Sequence, residues 1–237
     1  MYDVEMRKRV IAVIPARLDS ARFPAKMIAD ETGKPLIQYA WEVANVAQCI
    51  DEVLIATDSN DIAERIQAFG GNYIMTGVHP NGTSRIAEAV ENYDCDLVVN
   101  MQGDEPELDP TVIDAAVKAI GNRSMGTACC ELLPEEIENE NVVKVIVGDN
   151  GTAIDFMRKM PKGNAFRHLG LYVYTPAFLQ QFISMTATEN EVSRRLEQMR
   201  AIDNGYTIAV AKVDSQPSGI DTPEQYADFV NRVNLTL

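Results

Sequence analysis

Three cations crowd one short stretch near the start of the chain. In PARLDSARFPAKM, Arg17, Arg22 and Lys26 fall within ten residues. Guanidinium and ammonium groups give charge-assisted hydrogen bonds to phosphate oxygens, so the set suits a ligand with several negative charges, a triphosphate above all. The same residues would also serve as a solvated loop. Neither G-x-x-x-x-G-K-[ST] nor G-x-G-x-x-G occurs in the chain. A glycine-rich phosphate cradle of the P-loop or dinucleotide type is therefore not supported.

Acids stand at two further points. Gln102-Gly103-Asp104-Glu105-Pro106 follows an apolar run, and a carboxylate at a strand end, beside a glycine that lets a ligand approach, is a good Mg²⁺ ligand. Gly219-Ile220-Asp221-Thr222-Pro223 offers a second carboxylate, which reads equally as the cap of the terminal helix. Two acids with Mg²⁺ between them would neutralise a triphosphate and hold its α-phosphate for in-line attack. Read from the residues alone, the set points to Mg²⁺-dependent nucleotidyl transfer.

The elements that must carry these residues alternate from the start. Residues 9–16 form a continuous apolar run, as in a strand buried on both faces. Helical spacing over 35–48 precedes a second buried strand at 51–58, then a helix over 59–71 capped by Ser59 and ended by paired glycines. A strand at 72–77, a helix at 83–93, a strand at 95–106 and a helix at 109–121 with proline in its first turn continue the pattern. This order predicts a parallel sheet with helices on both faces, where ligands bind beyond the carboxyl ends of the strands. Further on, 141–156 reads as a hairpin through Asp149-Asn150-Gly151 and 168–175 as a strand. An amphipathic helix over 190–203, a strand at 206–213 and a terminal helix over 222–234 follow. The expectation is an α/β fold, one doubly wound domain over residues 1–237 with a β-rich insertion at about 125–185.

Composition excludes several classes. With 21 Lys+Arg against 35 Asp+Glu the net charge is −14, wrong for a protein whose main partner is a nucleic-acid backbone. No apolar stretch approaches the roughly 20 residues that span a bilayer, and Pro15 and Arg17 break the first apolar run. A cytoplasmic protein with neither nucleic-acid nor membrane partner is expected. Cys49, Cys95, Cys129 and Cys130 lack zinc-site spacing and read as buried free thiols. The charge is uneven: residues 1–30 carry six bases and four acids, 31–150 six and 22, 151–200 seven and four. Two locally basic segments in an acidic chain are where an anionic ligand would be held, unless they cover solvated faces.

From about Val10 to Phe229 the chain resembles the 3-deoxy-manno-octulosonate (Kdo) cytidylyltransferases, or CMP-Kdo synthetases. The resemblance rests on IPARLDSARFPAK, GKPLIQY, ATDSNDI, GGNYIMT followed by HPNGTSR, VNMQGDEP, HLGLYVY, LEQMR and GIDTPE, all in family order. It implies a nucleotide-diphospho-sugar transferase fold, mostly parallel, with a β-rich dimerisation insertion and a homodimeric protein. It also implies CTP and a 2-keto sugar acid as substrates, with Mg²⁺ as cofactor. Arg17, Arg22 and Lys26 would contact the CTP phosphates, Lys26 also stabilising charge at the α-phosphate; Asp104 and Asp221 would hold the metal. Arg85 would lie near the nucleotide, and Gln102, Arg158, His168, Tyr172, Glu197 and Gln198 around the sugar acid. The sugar's anomeric 2-hydroxyl would attack the α-phosphate and release pyrophosphate, chemistry that needs charge neutralisation and alignment more than a strong protein base.

The chain departs from the family pattern at four places. Ala25 replaces a glycine, a change that is free unless the backbone needs a positive φ. Ser84 and Arg194 stand where acids are usual. The segment from Arg158 to His168 is short and lacks an arginine whose place Lys162 or Arg167 would take. These changes leave open another acidic acceptor, such as a Kdo analogue or a phosphonate, and a CTP-binding homologue without turnover.

Overall fold

A computed structural model describes residues 7–20, 22–161 and 163–236. The first half follows the alternation read from the sequence. Strands β1 (Val10–Ala16), β2 (Glu52–Thr57), β3 (Asn72–Met75) and β4 (Leu97–Asn100) are interleaved with α1 (Leu36–Val46), α2 (Asn60–Ala68), α3 (Gly82–Val90) and α4 (Pro110–Ile120). Ser59 caps α2 by accepting the Ile62 N–H, and Asp109 caps α4 with Pro110 at the first helical position. The second half holds β5 (Met125–Cys130), β6 (Lys144–Val147), β7 (Ala153–Met157), β8 (Phe166–Tyr174), α5 (Pro176–Ser184), α6 (Glu189–Arg194), α7 (Met199–Asp203), β9 (Ile208–Lys212) and α8 (Pro223–Thr236).

The strands join one sheet in the order β3-β2-β1-β4-β8-β5-β9. All pairings along it are parallel except those of β8, which runs antiparallel between β4 and β5. The β6–β7 hairpin hangs from the start of β8, Lys144 opposite Arg167 and Val145 opposite Phe166. Apolar residues cover both faces, as a doubly wound sheet requires. Along β1, Val10, Ala12, Ile14 and Ala16 pack with α1, α2 and α4, while Ile11 and Val13 pack with α3, α5 and α7. A third cluster seats α8 through Tyr226 and Phe229 against Leu36.

Two elements escape a reading of periodicity. Strand β5, MGTACC, is wholly buried yet poor in the branched and aromatic residues that mark strands. Its small residues suit the crowding there, since a Cβ at Gly126 would stand 3.3 Å from the Cβ of Ile120 on α4. Helix α5 opens directly after β8, with only Thr175, its cap, between them. One expectation is corrected: the helix over 190–203 is two short helices, α6 and α7, broken at Arg195, which is left-handed at φ 55 and ψ 50. All four cysteines are free, Cys129 and Cys130 buried and Cys49 and Cys95 half-buried.

The loop after β1 carries the other left-handed non-glycine residue among the described residues. Ala25 sits at φ 56 and ψ 19, its N–H bonded to Leu18 O at 3.0 Å, and the turn drives Lys26 inward. The backbone therefore does need a positive φ where the family has glycine, and the alanine methyl is strained. Ala25→Gly should raise the unfolding midpoint by about 2 °C, relief of that strain outweighing the extra chain entropy of glycine. Calorimetry would check this; a lower midpoint would show that Ala25 is not strained.

Candidate active site

At the carboxyl ends of β1 and β4 the chain opens a cleft. The loop after β1 lines it with Arg17, Arg22 and Lys26, the start of α3 with Asn81, Gly82 and Arg85, the turn after β4 with Gln102 and Asp104, and the approach to α8 with Asp221. The carboxyl end of the sheet is where a ligand edge is expected. Four separate segments thus place the predicted phosphate and metal residues on one wall.

Lys26 stands at the centre of that wall. Its side chain is only 6% exposed and its ammonium donates to Asp104 Oδ2 and to Ile220 O, each at 2.7 Å, with Asp221 Oδ1 at 3.8 Å. Arg22 donates to the same Asp221 oxygen at 2.7 Å. Asp221 is not the helix cap. Thr222 Oγ1 takes the Gln225 N–H instead, and the Asp221 carboxylate is left facing the cleft. Both carboxylates face the Lys26 ammonium, and hard oxygen donors of this kind would suit Mg²⁺. Among the described residues no group of three or more His, Cys, Asp or Glu is arranged to hold a metal.

Glu105 is turned away from this point. Burial, reinforced by the Asp104 charge, pushes its carboxyl up to about 7, and Oε2 is buried without a partner among the described residues. A carboxyl raised this far carries less negative charge near neutral pH beside the Asp104–Asp221 pair.

Arg85 is 3% exposed and already engaged, donating to Asp58 Oδ2 at 2.9 Å and Thr76 Oγ1 at 2.7 Å. Burial works against the Asp58 charge, but the Arg85 hydrogen bond and charge outweigh it and hold the carboxyl below its ordinary range. Arg17 and Arg85 also line a second hollow with Asp58, Ser59 and His79, continuous in lining with the first.

The residues predicted around the sugar acid divide. Gln102 lies on the cleft wall, its amide donating to Asn100 Oδ1 at 3.3 Å. Behind it runs a chain of rings: His168 packs edge-on against Phe156 and tilted against Tyr172. His168 Nε2 lies 2.9 Å from Thr127 Oγ1, and burial holds the imidazole down at about 3, so it is neutral near pH 7. Burial likewise pushes the Tyr172 hydroxyl up. Glu197, at the break between α6 and α7, lines a separate hollow that shares Asn81 with the cleft, and accepts from Asn81 Nδ2 at 3.0 Å and Thr83 Oγ1 at 2.6 Å. Gln198 follows it and is 4% exposed. Of the six, Gln102 alone is among the cleft-lining residues; Arg158 lies at another hollow with Glu140, Met157 and Arg194.

Comparison with known proteins fits this geometry. Residues 11–231 match the sequence profile of a family described as Cytidylyltransferase. The 3-deoxy-manno-octulosonate cytidylyltransferase of Geotalea uraniireducens is 39% identical, the match covering 95% of this chain and 99% of that protein. The enzyme of the same name from Syntrophotalea carbinolica is 42% identical, over 91% of this chain and 94% of its own. This chain belongs to the Kdo cytidylyltransferase family. A solved structure described as CMP:2-keto-3-deoxy-manno-octonic acid synthetase complexed with CTP superposes with a TM-score of 0.92 at 31% identity, covering 97% of this chain and all of that one. A 4-diphosphocytidyl-2C-methyl-D-erythritol synthase from Anaerococcus prevotii, 13% identical with a TM-score of 0.66, shares the fold.

The places where the chain departs from the Kdo cytidylyltransferase pattern are mostly engaged elsewhere. Arg194 donates to Asp155 Oδ1 at 2.5 Å and Phe156 O at 3.0 Å, and Ser84 Oγ to Asn81 O at 3.1 Å. Arg167 pairs with Glu136 at 2.9 Å and donates to Pro217 O at 2.6 Å. Lys162 lies outside the described residues.

Sequence reasoning passed over Asn81 and Thr83, although both stand in the HPNGTSR motif. Together they tie Glu197 to the first turn of α3. Burial raises the Glu197 carboxyl, while the Thr83 bond and the Arg200 charge oppose the rise. The Thr83 bond therefore adds stability above the Glu197 pKa and loses it as pH falls through that value. Thr83→Val should cost about 1.5–3 kcal/mol at pH 8. The gap from wild type should shrink toward pH 4, as urea unfolding would measure; a gap independent of pH would remove the bond from the account.

Proposed function

We propose that this protein transfers CMP from CTP to the anomeric 2-hydroxyl of Kdo, releasing pyrophosphate. The observation that carries the reading is the convergence of Lys26 on Asp104 and Asp221, with Arg22 beside them, at the carboxyl end of the sheet. The CTP complexed in the 31%-identical structure, and the Kdo in the names of the relatives, supply the substrates of the proposal.

In this reading Arg17, Arg22 and Lys26 bind the triphosphate, and Lys26 meets charge that develops at the α-phosphate. Arg85, held by Asp58, supports the nucleotide side of the cleft. Asp104 and Asp221 would hold Mg²⁺. When bound, the ion neutralises phosphate charge and favours in-line displacement. Gln102, Tyr172, Glu197 and Gln198 orient the sugar acid, with His168 neutral behind Tyr172. The 2-hydroxyl oxygen bonds to the α-phosphorus, the bond from that phosphorus to the oxygen bridging to the β-phosphate breaks, pyrophosphate leaves with that oxygen, and the hydroxyl proton passes to water. Holding the two reactants in line supplies most of the effect, since this chemistry asks for charge neutralisation and alignment more than for a strong protein base.

The protein acts as a cytoplasmic homodimer in this proposal, the β-rich region at about 125–185 forming the contact. Ile154 on β7 and Val192 on α6, exposed by 58% and 66%, lie on elements joined by the Arg194–Asp155 bond and support that face. Sedimentation equilibrium distinguishes dimer from monomer.

Pyrophosphate release with CTP and Mg²⁺ against Kdo, its 8-amino analogue, sialic acid and small phosphonates tests the function. Release with Kdo is expected, and chelation should stop it. Asp104→Asn and Asp221→Asn should each lower turnover on the order of a thousandfold with far-UV circular dichroism unchanged. Release only with another acceptor would replace Kdo. CTP binding without release from any acceptor would make the protein a catalytically silent member of its family.

A further inference from the structure

The family pattern puts Arg158 around the sugar acid, yet its guanidinium is spent on backbone. Nε donates to Arg194 O and Nη2 to Arg195 O, both at 3.2 Å, and Nη1 to Glu140 O at 3.1 Å. Two of these three carbonyls flank the break between α6 and α7. There Arg195 holds a left-handed backbone, costly for any residue with a Cβ, while the Leu196 N–H returns to Glu191 O at 3.1 Å. Beyond the break come Glu197, bonded to Asn81 and Thr83, and Gln198, buried. Had α6 run on through Arg195, those two residues would continue along its axis and lose α3.

The clamp is itself fixed. Lys144, fully buried, donates to Arg158 O at 2.8 Å and to Asn139 O at 2.6 Å. Arg194 grips β7 through Asp155 and Phe156 O, so the turn is pinned from both neighbouring strands of the hairpin. The residue that replaces an acid in the family pattern thus belongs to the same assembly.

We propose that Arg158 is a positioning residue: it locks the left-handed turn at Arg195 and so sets Glu197 and Gln198 against the start of α3, without touching the acceptor. The functional consequence rests on reading Glu197 and Gln198 as acceptor ligands; the locking of the turn does not. Glycine adopts the left-handed conformation without a Cβ penalty, so it replaces the clamp if the clamp acts by holding strain.

The test compares wild type, Arg158→Met, Arg195→Gly and the double variant by steady-state kinetics and by amide hydrogen exchange of residues 195–199. Arg158→Lys serves where Arg158→Met fails to fold. Arg158→Met should raise KM for Kdo about tenfold, with KM for CTP within about twofold of wild type. It should also speed exchange at Leu196 and Met199. Arg195→Gly alone should stay close to wild type, and in the double variant it should recover most of the lost KM and protection. A double variant as impaired as Arg158→Met would overturn the proposal in favour of direct contact with the acceptor, and an unaffected Arg158→Met would overturn it outright. If wild type turns over no acceptor, the functional reading fails while exchange still decides whether Arg158 locks the turn.

Discussion

An ammonium group almost wholly removed from water demands carboxylate or carbonyl partners, and Lys26 finds them on two remote stretches of chain. Asp104 comes from the turn after β4 and Ile220 O from the approach to α8, so one side chain ties the first loop, the sheet centre and the last helix together. Local features follow from that bond. Ala25 takes a left-handed conformation to send Lys26 inward. Gly103 lacks a Cβ because one would stand 2.9 Å from Ile37 Cδ1 and 3.0 Å from Met27 Sδ. The packing of Tyr226 and Phe229 on Leu36 keeps α8, and with it Asp221, in reach. Removal of Asp104 leaves the buried Lys26 ammonium without its carboxylate, so the site and the fold are stabilised by the same contact.

The two halves of the cleft are joined at the first turn of α3. Asn81 caps the helix by accepting the Ser84 N–H at 2.8 Å and also donates to Glu197. Thr83 adds a second bond to Glu197, and Arg85, one turn along, faces Asp58 and the nucleotide side. A shift of this turn therefore moves both sets of ligands at once. Reactants that must meet in line gain from such a shared support, because alignment is most of what the chemistry asks of the protein.

Where chemistry and periodicity left strong marks, the sequence was legible. The βαβ alternation through α4, its proline and serine starts, the hairpin at Asp149-Asn150-Gly151 and the cationic loop all follow from local rules. Asp221 was ambiguous because a residue ahead of a Thr-Pro helix start reads as a cap; only the fold shows Thr222 taking that role. Strand β5 was invisible because its small residues answer to α4 rather than to strand propensity. The break at Arg195 had no sequence mark at all, since neither glycine nor proline punctuates it. Its cause lies 37 residues away in Arg158, and no local pattern reports a contact of that separation.

That break also bears on acceptor choice. An arginine in place of an acid at position 194 would suggest a pocket rebuilt for a more anionic acceptor if the side chain faced the cleft. It faces Asp155 and Phe156 O instead, on the hairpin. Ser84 is likewise absorbed into the start of α3, and Arg167 into Glu136 and Pro217 O. The substitutions thus lie in the supports of the site, while Gln102, Tyr172, Glu197 and Gln198 retain the identities found in the family motifs. Changes confined to the supports, with those four identities kept, are consistent with the proposed Kdo acceptor and give no reason to replace it.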